Sequence, residues 1–101
     1  MTNIAQLMKE AKHRSQKGQL DIAKMLWEEV IELCSTMATA YINLCIIYFK
    51  YEEWRTALSY LNKAVKLNTN SADVWHARGM ALLKLQQYQE ALPSFNRAIS
   101  L

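Results

Sequence analysis

Hydrophobic residues recur along the chain at spacings of three and four, which is the period of an amphipathic helix. In the middle of the chain one such face consists of Tyr41, Leu44, Cys45 and Tyr48. After a break near residues 51–53 a second face follows, made of Trp54, Ala57, Leu58, Leu61, Ala64 and Val65. The strict alternation of a strand is absent, as are the Asn-Gly and Asp-Gly turns typical of hairpins. The pattern therefore predicts an all-helical protein.

This pattern occurs three times at an interval of 34 residues. We call the residues that recur at this interval a column: one column is Ala23, Ala57 and Ala91, and another is Trp27, Leu61 and Phe95. The predicted repeats span residues 4–37, 38–71 and 72–101, the last of them incomplete. Each contains two helical stretches, A and B, so the sequence predicts six helices in a single domain over residues 1–101.

Small residues recur where the two helices of a repeat should meet. The A-helix column is Ala11, Cys45 and Gly79, opposite the alanine column of helix B. A small residue on each side lets the two backbones approach closely, while the Trp27 column fills the space between successive repeats. Residues 68–71, Asn-Thr-Asn-Ser, favour side-chain-to-backbone hydrogen bonds and are predicted to end one helix and cap the next.

These columns resemble the tetratricopeptide repeat family. The third repeat carries the resemblance most fully, with Trp75, Gly79, Tyr88, Ala91, Phe95 and Ala98 in register. The first repeat is weaker, because Glu10 and Arg14 stand where the family prefers apolar residues. The resemblance implies a right-handed α-solenoid of antiparallel helix pairs whose A helices line a concave groove. It further implies an interaction module, an adaptor or scaffold that holds a peptide or helix of another protein, without fixing the ligand.

The resemblance also indicates which residues face the groove. The predicted partner-binding residues are Met8, Lys12, Ile42, Asn43, Ile46, Phe49, Lys50, His76, Met80 and Lys84. Apolar residues on the side of an A helix that is not predicted to pack into the core suggest a binding surface. The alternative is that they meet other helices, either a tail that folds back or a second subunit.

The distribution of charge predicts what kind of partner the groove prefers. The net charge of the chain is only +3, but the A-helix segments hold seven basic and two acidic residues, whereas the remainder holds five basic and seven acidic ones. This favours an acidic or amphipathic partner, mainly by steering, although exposed lysines often serve only solvation. Relatives that bind chaperone tails use Lys, Asn and Arg at sites aligned here with Met8, Lys12, Asn43, Asp73 and Ala77. Only Asn43 matches, and Asp73 would repel a carboxylate, so that clamp is not expected.

Other chemistry has little support in the sequence. His13 and His76 lack partners at ligand spacing, and Cys34 and Cys45 form no CxxC pattern, so we expect no metal. Phosphate-binding loops, nucleophile elbows and paired catalytic carboxylates are missing, so we expect neither enzymatic activity nor a cofactor. The tyrosine and tryptophan residues lie in core columns, which argues against nucleic acid as a partner. No apolar run approaches the ~18–20 residues of a membrane span, and two thiols on apolar faces favour a cytoplasmic location.

The last helix has an apolar face without a predicted cover. Each B helix should pack on its own A helix and on the next one, and no polar capping helix follows the third repeat in the sequence. The residues left over, and predicted to mediate oligomerisation, are Leu92, Phe95, Ile99 and Leu101. Three explanations stay open: the chain is the N-terminal part of a longer protein of the family, it pairs with another copy as a homo-oligomeric self-assembly module, or it tolerates a small exposed patch.

Overall fold

The computed structural model describes residues 3–67 and 70–101 of the chain. Within these ranges lie six α-helices and no strand, which confirms the all-α prediction. The helices are α1 (Ile4–Gln16), α2 (Leu20–Leu33), α3 (Ala38–Lys50), α4 (Trp54–Leu67), α5 (Ala72–Lys84) and α6 (Tyr88–Ser100). The A helices are α1, α3 and α5, and each begins 34 residues after the one before it.

The helices form a stack of three hairpins. Each A helix packs against the B helix that follows it, and α2 and α4 also pack against the A helix of the next hairpin. The molecule is consequently elongated, with principal extents of 45 × 24 × 19 Å. This arrangement is an α-solenoid, in which no hairpin can bury its apolar faces alone.

Two buried clusters form the core, one at each junction between hairpins. The first contains Ala11, Ala23, Trp27, Val30, Ala40, Leu44 and Ile47. The second contains Tyr41, Cys45, Ala57, Leu61, Ala64, Val74 and Ala81. In both, alanines from the B helix lie beside large residues of the Trp27 column, as the sequence pattern predicts.

The turn between helices A and B has the same backbone geometry in all three hairpins. Gly18, Glu52 and Gln86, which stand 34 residues apart, have φ angles of 78°, 59° and 62°. The N–H of the following residue donates to a carbonyl five residues earlier, at 2.9 to 3.0 Å, which closes the end of helix A as a Schellman motif does. Glycine adopts this left-handed conformation freely at position 18, whereas Glu52 and Gln86 adopt it at some cost.

A serine caps the start of α5. The Ser71 hydroxyl accepts a hydrogen bond from the Val74 N–H at 3.4 Å. This confirms the predicted cap, because Ser71 belongs to the Asn-Thr-Asn-Ser segment. Asn68 and Thr69, named in the same prediction, lie outside the described residues.

Candidate functional site

An apolar cavity opens between α3 and α5, the A helices of the second and third hairpins. Its volume is about 440 Å³, and its lining residues are Cys45, Ile46, Phe49, Lys50, His76, Ala77 and Met80. Five of the predicted partner-binding residues are therefore brought together: Ile46, Phe49, Lys50, His76 and Met80. We call this cavity the α3–α5 pocket.

The wall of the pocket is held by neighbouring helices, yet part of it faces solvent. Ile46 is 47% exposed, although it lies in the middle of α3. Phe49 packs edge-on against Trp54, with the ring centroids 5.2 Å apart, so the start of α4 supports this side chain. A half-exposed isoleucine beside a braced aromatic ring is a surface that another apolar side chain can cover.

Cys45 lines the pocket but is not a reactive group. Its side chain is buried, and desolvation raises the pKa of the thiol to about 12. At neutral pH the sulfur is therefore a protonated, apolar part of the pocket rather than a nucleophile. The sequence pattern placed Cys45 in the core, and its contribution to the pocket was missed because one side chain reaches both regions.

The other five predicted partner-binding residues do not line the pocket. Met8 and Ile42 are half-buried and pack against the first and second core clusters, respectively. The Asn43 amide donates to the Thr39 carbonyl at 2.8 Å. Lys12 is exposed on α1, and Lys84 places its ammonium 5.5 Å from the centroid of the Trp54 ring.

The predicted concentration of positive charge in the groove is wrong for Arg78. Its guanidinium donates to Asn62 Oδ1 at 2.8 Å and to Ser94 Oγ at 2.7 Å, so it lies between α4 and α6. Arg14 is also engaged elsewhere, because it pairs with Glu10 at 2.8 Å and donates to Gln19 at 2.8 Å. Lys50 is therefore the basic side chain that remains at the α3–α5 pocket, where His76 is also present.

The residues predicted for oligomerisation are exposed to different degrees. Leu92 and Ile99 are 62% and 83% exposed on α6. Phe95 is half-buried, because its ring lies over Gly79 and contacts His76 edge-on at 5.5 Å. Leu101 follows the last residue of α6 and is two positions from Ile99, so the two do not share a helix face.

Two further features bear on the classes of function considered. Among residues 3–67 and 70–101, no group of three or more His, Cys, Asp or Glu side chains could hold a metal ion. In the same part of the chain, every helix is too short or too polar to cross a membrane.

The match to a protein-family profile lies in the third hairpin. A profile of the tetratricopeptide repeat matches residues 72–101. The chain is 29% identical over 100 residues to the human protein O-mannosyl-transferase TMTC3, and 31% identical over 85 residues to the TPR repeat-containing protein C19B12.01 of Schizosaccharomyces pombe. These alignments cover 98% and 83% of the chain, but the chain spans only about a tenth of the length of either relative.

Solved structures share the whole arrangement of helices. A crystal structure of MamA superimposes with a TM-score of 0.91 at 26% identity, over 97% of this chain and 57% of that one. YrrB, described as a TPR protein with an unusual peptide-binding site, gives 0.89 at 29% identity, over 94% and 49%. The first TPR of Spaghetti (RPAP3), bound to the HSP90 peptide SRMEEVD, gives 0.90 over 96% and 77%; at 23% identity it shows a common fold alone. With its third repeat matched and its helical stack shared with these proteins, the chain belongs to the tetratricopeptide repeat family.

Proposed function

We propose that the chain is a protein–protein interaction module that binds an amphipathic, acidic peptide segment in the groove of its A helices. The observation that carries this proposal is the α3–α5 pocket, an apolar cavity with a half-exposed Ile46 in its wall. The description of YrrB as peptide-binding, and the peptide bound to the RPAP3 repeat, support an interaction function for this fold.

In this proposal the apolar pocket supplies the affinity for the partner peptide, and Lys50 at its edge sets the peptide's orientation. A large apolar side chain of the partner would cover Ile46 and Met80, and burial of such an anchor usually dominates binding energy. Lys50 lies at the end of α3 beside the pocket, so an acidic residue next to the anchor would meet an opposite charge. Such a pairing on an exposed rim mainly speeds association and fixes direction.

We propose that the remaining predicted contact residues extend this site along the groove. Met8 and Lys12 on α1, with Ile42 and Asn43 on α3, would contact a longer segment on one side of the pocket. Lys84, near the end of α5, would contact it on the other. In this arrangement the apolar pocket is central and the lysines are peripheral, as in most stable interfaces.

The acidic chaperone tail is not the partner that we propose. The exposed Asp73 stands at a position where the clamp of relatives carries a basic residue, and its carboxylate would repel that of the tail. The peptide SRMEEVD is therefore a useful negative reference. This peptide is acidic, as the proposed partner is, but its terminal carboxylate would lie beside the negatively charged Asp73.

Catalysis forms no part of the proposal. The transferase named above is matched over a tenth of its length, and its activity belongs to that protein. We propose a cytoplasmic location, supported by Cys34 and Cys45, both of which are free thiols.

The experiment is selection of peptides from a random library on the purified chain, followed by fluorescence anisotropy with the selected sequences. We expect amphipathic peptides with acidic residues, and weaker binding of SRMEEVD. Ile46→Asp should weaken binding at least tenfold, and Lys50→Glu should reduce both affinity and its dependence on salt. Met25→Asp is the matched control, because Met25 is 67% exposed on α2, away from the groove. Unchanged affinity in a folded Ile46→Asp variant would eliminate the proposed site.

A further inference from the structure

The outer surfaces of α2 and α4 carry opposite charges at equivalent positions. The exposed charged residues of α2 are all acidic: Asp21, Glu29 and Glu32. The residues that follow them by 34 positions on α4 are all basic and also exposed: Arg55, Lys63 and Lys66. A surface that serves only solvation normally mixes both signs on each helix. Here the sign reverses from one helix to the next at all three columns.

The uncharged exposed positions of the two helices also match each other. Ile22 and Met25 on α2 are large and apolar, whereas Thr56 and Ser59 stand at the same columns of α4. Leu33 and Leu67 share the last column, and both are exposed. We call the exposed residues of α2 the α2 face: Asp21, Ile22, Met25, Glu29, Glu32 and Leu33. The α4 face consists of their equivalents: Arg55, Thr56, Ser59, Lys63, Lys66 and Leu67.

These charges are not neutralised within the chain. In the described part of the chain none of the six charged residues forms an ion pair, because the ion pair present there joins Arg14 to Glu10. Asp21 accepts a hydrogen bond from the Tyr51 hydroxyl, and the Lys63 ammonium lies 5.8 Å from the centroid of the Tyr41 ring. Neither contact supplies a counter-charge. The two faces are therefore free to pair with opposite charges outside the chain.

We propose that the α2 and α4 faces together form the contact surface of a two-fold dimer of this chain, in which α2 of each copy lies against α4 of the other. As equivalent helices of successive hairpins, α2 and α4 run in the same direction. A two-fold axis parallel to them and midway between them exchanges the two helices and keeps the height of every residue along them. Residues of the same column then lie opposite each other across the interface.

Every column of the two faces is complementary in this arrangement. Asp21 lies opposite Arg55 of the other copy, and the other two acidic residues likewise meet Lys63 and Lys66. Because a two-fold interface uses the same surface twice, the three charged columns form two sets of opposite pairs. Met25 lies opposite the small Ser59, and Leu33 lies opposite Leu67. Charges therefore meet charges, and a large side chain meets a short one or another leucine.

The other face-to-face dimer is disfavoured by the same residues. A two-fold axis across the helices would place α2 against α2 and α4 against α4. Glu29 and Glu32 would then face acidic residues, and Lys63 and Lys66 would face basic ones. Juxtaposed like charges suppress such a pairing. The reversal of sign between α2 and α4 thus selects one arrangement of the two copies.

The proposed dimer does not involve the α3–α5 pocket or the α6 residues predicted for oligomerisation. The pocket lies between two A helices, whereas this contact uses two B helices, so both pockets of a dimer stay open. The inference consequently stands or falls independently of the peptide-binding proposal. Exposed ion pairs contribute little individually and are screened by salt, so we expect a weak dimer that depends on ionic strength.

The first test is the molar mass of the chain by light scattering, over a dilution series from low to high micromolar protein. It is carried out at ionic strengths of about 0.1 M and about 1 M, between which the screening length falls from about 10 Å to about 3 Å. At the lower ionic strength we expect the mass to rise from 11.7 kDa to twice that value, and at the higher one to stay near 11.7 kDa. A monomer under all conditions would leave these faces to a different partner and overturn the proposal. A dimer that persists unchanged at high salt would indicate an apolar contact, such as one through α6, and would overturn it as well.

The second test exchanges charges within one column. Lys63→Glu and Glu29→Lys should each be monomeric, because like charges then face each other; Glu29→Lys also leaves the contact of Lys63 with Tyr41 intact. The double variant Glu29→Lys, Lys63→Glu should dimerise again, since opposite charges are restored and its net charge is that of the original chain.

The matched control for this exchange is Arg97→Glu. Arg97 is exposed on α6 in the same column, and its substitution changes the net charge as much as Lys63→Glu does. This variant should dimerise like the original chain, and circular dichroism should show all four variants folded because every substituted side chain is exposed. A dimer in Lys63→Glu, no recovery in the double variant, or equal loss of dimer in Arg97→Glu would each refute the proposed contact.

Discussion

Gly79 offers the sharpest test of how the third hairpin is packed. A Cβ atom at this position would lie 2.8 Å from Cε1 and 2.9 Å from Cδ1 and Cζ of Phe95. Carbon atoms in contact normally stay about 3.5–4.0 Å apart, so Gly79→Ala forces the ring to move. Phe95 is only half-buried, and its ring can turn toward solvent at the expense of its contacts with Gly79 and His76.

Two opposing effects determine the result. Alanine is favoured over glycine within a helix by about 1 kcal/mol. Overpacking of a filled contact costs about 1–3 kcal/mol. We expect the steric effect to prevail and Gly79→Ala to lower the free energy of unfolding by about 1 kcal/mol, which corresponds to a melting temperature about 4–8 °C lower for a domain of this size.

Urea denaturation followed by circular dichroism measures this difference, and a double-mutant cycle assigns its cause. In a Phe95→Leu background the ring is gone, so Gly79→Ala should become stabilising by up to about 1 kcal/mol. Ala11→Gly at the same column of the first repeat should be destabilising by at least about 1 kcal/mol, because an alanine already fits there. If Gly79→Ala raises stability in the original chain, or shifts it equally in both backgrounds, the Phe95 ring is not what requires glycine.

Two other predictions concern buried groups. Arg78→Met should lower the free energy of unfolding by about 1–3 kcal/mol, because the fully buried Ser94 hydroxyl loses its donor; Ser94→Ala in that background should restore part of the loss in urea denaturation. Burial raises the pKa of the Cys45 thiol from 9.0 to about 12, so the unfolded chain releases this proton at a lower pH than the folded one. The contribution of Cys45 to stability should therefore be fully present below about pH 9 and decline above it, by at most about 1.4 kcal/mol per pH unit. Cys45→Ala should make the decline between pH 9 and 10 shallower without abolishing it, because the pKa values of Tyr48, Tyr51 and Tyr60 are also raised in the folded chain. An unchanged slope would contradict this assignment.

The helices and their stacking could be predicted because the signals are local and repeated. The three-and-four spacing defines each amphipathic face, and the 34-residue interval shows which faces are equivalent. The α3–α5 pocket was foreseen in part, since Ile46, Phe49 and Met80 are apolar on a side that the core does not need. Lys50 and His76 were also predicted for the groove, from the resemblance; that all five side chains line one pocket follows from the approach of α3 and α5.

The placement of Arg78 could not be predicted from its own neighbourhood. Its two hydrogen-bond partners are Asn62 and Ser94, each 16 residues away and on a different helix. One signal was present: the same column holds Leu44 in the second repeat, a fully buried residue. Comparison of columns, rather than a sum of charges along each helix, would have assigned Arg78 to the interior.

The common geometry of the turns at Gly18, Glu52 and Gln86 limits how this molecule can vary. Because these turns fix where each helix begins and ends, an additional residue inside a helix would rotate the part that follows it by about 100° and carry its apolar face away from the adjoining hairpin. Changes in helix length are therefore tolerated best as whole hairpins, whereas single substitutions on outward-facing positions leave the phase of the helices intact. New binding preferences are accordingly reached by replacement of side chains and by gain or loss of complete units.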